Sequence, residues 1–110
     1  MPFYEILTIS KAELSDVILG DLLKHTSRSV LDAGGVVRGF APLGMNKTLP
    51  YRMHKNKEWH RTGSYWNFQF YANPKLASKV LDELRTDHRV IRANMIRIAE
   101  KFQHYVRPKE

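Results

Sequence analysis

The sequence predicts an α+β domain ordered strand, helix, strand, strand, helix, strand. Three observations predict it. Two segments repeat apolar residues at three- and four-residue steps, four others alternate at two-residue steps with aromatic and β-branched types, and Gly34-Gly35 and Asn73-Pro74 punctuate the joins. A chain of 110 residues with 43% hydrophobic content holds one core and not two.

Phe3 to Ile9 reads as the first strand, with Tyr4, Ile6 and Thr8 on one face and Phe3, Glu5, Leu7 and Ile9 on the other. A helix follows. Ser10 with Glu13 forms one possible cap and Ser15 a rival one, and Leu19, Leu22, Leu23, Thr26, Val30 and Ala33 fall on one helical stripe. Gly34-Gly35 ends it. Val36 to Leu43 reads as the second strand, with Val37, Ala41 and Leu43 set against Val36, Arg38 and Phe40, and Gly44 marks a bend or bulge.

Residues 45–63 are polar, basic and turn-prone, and are expected to form a long basic hairpin arm. The third strand, Tyr65 to Ala72, sets Trp66, Phe68 and Phe70 against Tyr65, Asn67, Gln69 and Tyr71. Asn73 as N-cap with Pro74 at the first helical position starts a second helix, whose buried stripe is Leu76, Val80, Leu81 and Leu84. Val90 to Ile98 forms the last strand, with Ile91, Ala93 and Met95 inward. This order is the split βαβ pattern of a ferredoxin-like sandwich, a four-stranded antiparallel sheet with two helices on one face. Residues 1–98 make the domain and 99–110 a basic C-terminal tail.

The positive charge is unevenly placed. The chain carries +7 overall, with a net −2 over residues 1–35, +4 over 44–62 and +4 over 85–110. Clustered cations are the footprint of a polyanion, since each neutralised phosphate releases counterions. In the arm, Lys47, Arg52, Lys55, Lys57 and Arg61 interleave with Tyr51, His54, Trp59 and His60, pairing phosphate-seeking groups with rings able to stack on unpaired bases. The competing reading is a solvated hairpin whose Trp59 and Tyr51 pack on the sheet edge.

Catalytic chemistry finds little support. With no cysteine there is no disulfide framework, zinc knuckle or thiol nucleophile. The five histidines are scattered, His54 and His60 lack metal-ligand spacing, and no glycine-rich loop cradles a phosphate. No cofactor, metal or small-molecule substrate is expected. Apolar runs fall far short of the roughly 20 residues needed to cross a bilayer, and neither a secretory signal nor an obvious cleavable transit peptide is visible.

The sheet face without helices would carry Phe3, Leu7, Ile9, Phe40, Tyr65, Tyr71, Ile96 and Ile98, which is too apolar to stand bare. Either the tail, through Phe102, Tyr105 and Val106, or a protein partner covers it. Phe3, Leu7, Phe40, Tyr65 and Tyr71 are the expected protein-interface residues. An RNA-recognition motif would stack bases on aromatics two apart on the third strand, but the outward neighbour of Tyr65 is Asn67, so that platform is broken.

Met1-Pro2-Phe3-Tyr4-Glu5-Ile6, the run from Leu43-Gly44 to Leu49-Pro50-Tyr51-Arg52, Gly63-Ser64-Tyr65-Trp66 with Phe70-Tyr71-Ala72, and Val90-Ile91-Arg92 carry a further signal. Through them the chain resembles the bacterial-type ribosomal small-subunit protein six family, particularly its mitochondrial branch. The resemblance spans roughly residues 2–98. It implies a non-enzymatic protein that binds small-subunit ribosomal RNA in the central domain, or platform, together with small-subunit protein eighteen and other ribosomal proteins, in mitochondrial translation.

By position, Tyr4, Lys47, Arg52 and Arg92 match family motif sites and are expected RNA or partner contacts. Lys55, Lys57, Arg61, Arg89 and Arg97 are proposed as RNA contacts from charge and placement alone. The longer arm with Trp59, and the tail, depart from the family pattern. The alternatives are a free RNA-binding regulator and, in another class, an acylphosphatase-like enzyme of the same topology, which fold alone does not support.

Overall fold

The computed structural model describes residues 2–98, in the order β1 (Phe3–Lys11), α1 (Asp16–Asp32), β2 (Val36–Lys55), β3 (Glu58–Tyr71), α2 (Pro74–Thr86) and β4 (Val90–Ile98). The strands form one antiparallel sheet in the order β2-β3-β1-β4, with β1 paired to both β3 and β4. The ferredoxin-like α+β class stands as read. The tail lies outside the described residues.

Alternation builds the main core. Tyr4, Ile6 and Thr8 of β1 and Trp66, Phe68 and Phe70 of β3 are buried on one sheet face, beneath Leu22, Thr26 and Val30 of α1 and Leu76, Ala77, Val80 and Leu84 of α2. Asn73 caps α2 as expected, accepting from the Leu76 N–H at 2.8 Å. At α1 the rival cap wins: Ser15 Oγ accepts from the Ile18 N–H at 3.2 Å. Ser10 is spent elsewhere, because β1 runs on to Lys11 and the buried Ser10 hydroxyl accepts from Trp66 Nε1 at 3.3 Å. Ala33 is exposed at the C-cap rather than on the buried stripe.

β2 corrects one expectation. Val37 pairs with Phe70, but the next pairings are Gly39 with Gln69 and Phe40 with Phe68. This bulge absorbs Arg38 and inverts the alternation beyond it. Phe40 therefore lies on the helix side, its ring 4.5 Å from Phe68 and 5.8 Å from Trp66, and is not part of the open face. A second irregularity opposite Ile9 and Ser10 sends Ile91 out of the main core. Ala93 and Met95 stay with the helices, whereas Ile91 packs with Ile9, Leu49 and Met53 in a separate cluster.

The basic segment is a hairpin arm, longer and more ordered than its polarity implies. Asn56 and Lys57 both take positive φ, at 51° and 65°, the conformation of a two-residue turn that matches strand twist. Toward the base, Thr48 pairs with Thr62 and Met53 with His60, so residues 49–52 stand opposite Arg61 alone. That wide bulge lays Leu49 and Met53 against Ile9 and Ile91, with Tyr65 partly buried beside them.

Gly63 sits at this junction. A β-carbon there would lie 2.8 Å from Ile9 Cγ2 and 3.1 Å from the Ser10 carbonyl. Gly63→Ala is expected to cost about 1–3 kcal/mol through overpacking, read as a lower denaturation midpoint.

Candidate nucleic-acid interface

The arm has two unlike faces. Leu49 and Met53 look inward, while the pairing of His54 with Trp59 places Arg52, His54, Trp59 and Arg61 together on the outer one. The Arg52 guanidinium carbon lies 4.4 Å over the Trp59 ring, and the His54 ring centre is 5.0 Å from it. Trp59 remains 58% exposed. Lys57 at the tip and Lys47 at the base are exposed as well. None of Lys47, Arg52, Lys57 or Arg61 forms an ion pair among the described residues.

Arg92 joins this surface from β4. Its guanidinium carbon sits 5.6 Å over Tyr51, and Nη1 donates to the Tyr51 hydroxyl at 3.2 Å. Arg97 is exposed but pairs with Tyr4, and so leaves the strand on the opposite, helix side from Arg92. The predicted cations are therefore not one patch.

Three expected contacts are committed inside the fold. Tyr4 is 6% exposed and stacks on Phe70 at 5.7 Å beneath the helices, which withdraws it from any RNA surface. Lys55 donates to the Arg85 carbonyl at 2.6 Å and the Val90 carbonyl at 2.9 Å, clamping the arm to the loop between α2 and β4. Burial draws its pKa below the ordinary lysine range, with Asp87 opposing. Arg89 is ion-paired to Asp87 at 2.7 Å and to Asp21 at 3.0 Å.

The hydrogen bond from Arg89 holds the Asp87 carboxyl below the usual carboxylate range against the opposing effect of burial. Its folded-state pKa is thus lower than its unfolded one. The stabilisation is complete above the ordinary carboxylate pKa and is lost as pH falls through the depressed value.

Lys55→Met is expected to remove about 1–3 kcal/mol of local stability, since two charge-assisted bonds to the Arg85 and Val90 carbonyls disappear. Amide exchange should quicken at Met53 and Ile91 and stay unchanged at Phe68.

The helix-free face is mixed in character. Leu7 is 42% and Ile96 59% exposed, and they flank Glu5, whose Oε2 accepts from Asn67 Nδ2 at 2.6 Å and Gln69 Nε2 at 3.1 Å. Phe3 is buried, because Tyr71 stacks on it at 4.5 Å and the Arg38 guanidinium covers it at 5.4 Å. Tyr65 turns into the second cluster. Of the expected interface residues, Leu7 is the most freely presented, with Tyr71 half-exposed.

Sequence reasoning missed two cations with structural tasks. Lys11, at the end of β1, reaches Glu58 beside the turn of the arm at 3.3 Å, and Arg85 donates to the Ala93 carbonyl at 2.9 Å. Neither contact has a local sequence signal, since each partner is set by tertiary pairing. Among the described residues no three His, Cys, Asp or Glu side chains gather as a metal site, and no helix is long and apolar enough to cross a membrane.

The class of protein defined by these features is a ferredoxin-like sandwich that carries a cationic hairpin arm and a part-apolar sheet face. The chain belongs to the ribosomal protein S6 family, whose model matches residues 3–97. It is 35% identical over 97 residues to small ribosomal subunit protein bS6m of Bos taurus, covering 88% of this chain and 77% of that protein. The corresponding Mus musculus protein is 34% identical over the same length, covering 88% and 76%.

The crystal structure of 30S ribosomal protein S6 from Thermotoga maritima superposes with a TM-score of 0.73 at 15% identity, covering 88% of this chain and 87% of the other, which speaks for the fold. Proteins of this family are structural components of the small ribosomal subunit and not enzymes.

Proposed function

We propose that this protein works in the small subunit of the mitochondrial ribosome, where the outer face of its arm and Arg92 hold phosphates of central-domain ribosomal RNA and its helix-free sheet face meets small-subunit protein eighteen. The observation that carries the RNA reading is the exposed set Lys47, Arg52, Lys57 and Arg61, left without carboxylate partners among the described residues while Lys55 and Arg89 are bound internally. Such free cations gain counterion-release energy from phosphate without first breaking an internal bond.

Exposed Leu7 and Ile96 support the protein contact, and similarity to bS6m proteins supports the mitochondrial setting. Tyr71 belongs to the proposed protein contact and Arg97 to a separate RNA contact on the helix side. Co-sedimentation with mitochondrial small subunits across a salt series tests the reading. The protein should travel with the subunit at physiological salt, and free migration there defeats it.

A further inference from the structure

Beside the arm, where β1 ends at Lys11 and the β3 edge from Gly63 back to Glu58 is left without a β1 neighbour, the surface opens into a cleft of about 540 Å³. Lys11, Glu13, Glu58, Trp59, His60 and Arg61 border it. We propose that this cleft receives a single unpaired RNA base stacked on Trp59, with guanine favoured. The inference rests on the ribosomal RNA reading and adds to it a base-binding site.

The first support is the ring. Trp59 is 58% exposed although Arg52 and His54 both lie against it, so much of its surface is free for stacking. Arg52 keeps its guanidinium edge available for the phosphate of a stacked nucleotide. The second support is the separation of charge. Arg52 lies over the ring and Arg61 sits at the rim, whereas Glu13 and Glu58 border the cleft, where Lys11 is already held by Glu58. Carboxylates repel a phosphate but accept hydrogen bonds from a base.

Glu58 spends Oε1 on Lys11, and its other oxygen forms no bond among the described residues. His60 borders the same space, and its buried Nε2 has no hydrogen-bond partner. Guanine presents adjacent N1–H and N2–H₂ donors on its pairing edge, which suits a carboxylate acceptor best among the four bases. An acidic protein loop would meet the rim cations equally well but would bring its carboxylates against Glu13 and Glu58.

The test titrates the full chain with a stem-loop RNA bearing one unpaired guanine, and with adenine, uracil or an abasic site in its place, with affinity read by anisotropy of the labelled RNA and stacking by tryptophan emission. Trp66 is 3% exposed, so a change reports Trp59, and Trp59→Phe supplies the baseline. The guanine RNA should quench emission. Trp59→Ala or the abasic RNA should weaken binding about five- to 150-fold, the range of a stacked base, with Trp59→Tyr restoring most of it and Glu13→Gln reducing the guanine preference.

Emission unmoved at saturating RNA, or Trp59→Ala binding as tightly as the parent, overturns the cleft while full salt-dependent binding keeps the RNA reading. Loss of salt-dependent binding by the parent chain overturns both. Protection of Trp59 by protein eighteen instead of RNA also overturns the base site.

Discussion

Changing Lys47, Arg52 and Arg61 together to alanine is expected to flatten the salt slope of RNA binding by about 2.7 units, on the basis of about 0.9 per phosphate contact in duplex-like geometry. Extrapolated from 1 M, where counterion release vanishes, the same term lowers affinity about a hundredfold near 0.15 M salt. These residues qualify because they are exposed and form no ion pair among the described residues.

The matched control is Lys55→Ala with Arg89→Ala. Those cations are bound to the Arg85 and Val90 carbonyls and to Asp87 and Asp21, so their loss should lower stability and leave the slope intact. A fluorescence-anisotropy titration at four salt concentrations separates the outcomes. An unchanged slope for the triple variant rejects the arm as the phosphate surface.

The contrast between these two cation sets marks the boundary of what a sequence conveys. Element order was legible because Trp66, Phe68 and Phe70 alternate without interruption and Asn73-Pro74 marks a helix start, both local patterns with local causes. The face of Phe40 was not legible. A single extra residue at Arg38 inverts the alternation from Gly39 to Pro42, and nothing in Val36-Val37-Arg38-Gly39 distinguishes a bulge from a regular pleat.

The hairpin arm was legible from its turn-prone, basic composition, but its strand bounds and inward face were not, because an antiparallel pair exposed along much of its length needs no apolar alternation. Tyr4 shows the limit of motif matching, since a position can recur because its ring stacks on Phe70 in the core. Charge, likewise, does not reveal destination. Lys55 and Lys57 are two residues apart, yet tertiary pairing binds the first to backbone carbonyls and leaves the second at the exposed tip.

Phe40→Glu and Leu7→Glu should have opposite consequences, although simple alternation assigns both residues to one face. Phe40 stacks on Phe68 at 4.5 Å and borders a groove with Leu23 and Leu31 of α1. Replacing it removes a ring half-buried against Phe68 and Trp66, at about 1–3 kcal/mol, below the cost for a fully buried Phe, and sets a carboxylate beside the groove that Lys24 and Arg28 also border. A domain of this size has only about 5–15 kcal/mol in hand, so the denaturation midpoint should fall clearly.

Leu7 is 42% exposed and pairs with Asn67 and Asn94 on the helix-free face, so Leu7→Glu should fold normally. It places a second carboxylate two residues from Glu5 on the surface proposed to receive protein eighteen. A desolvated central contact is worth about 2 kcal/mol or more, so association should weaken at least about thirtyfold. Thermal denaturation paired with a binding titration measures both effects. A folded Phe40→Glu protein that loses its partner, beside a Leu7→Glu protein that keeps it, would move the interface to the other side of the sheet.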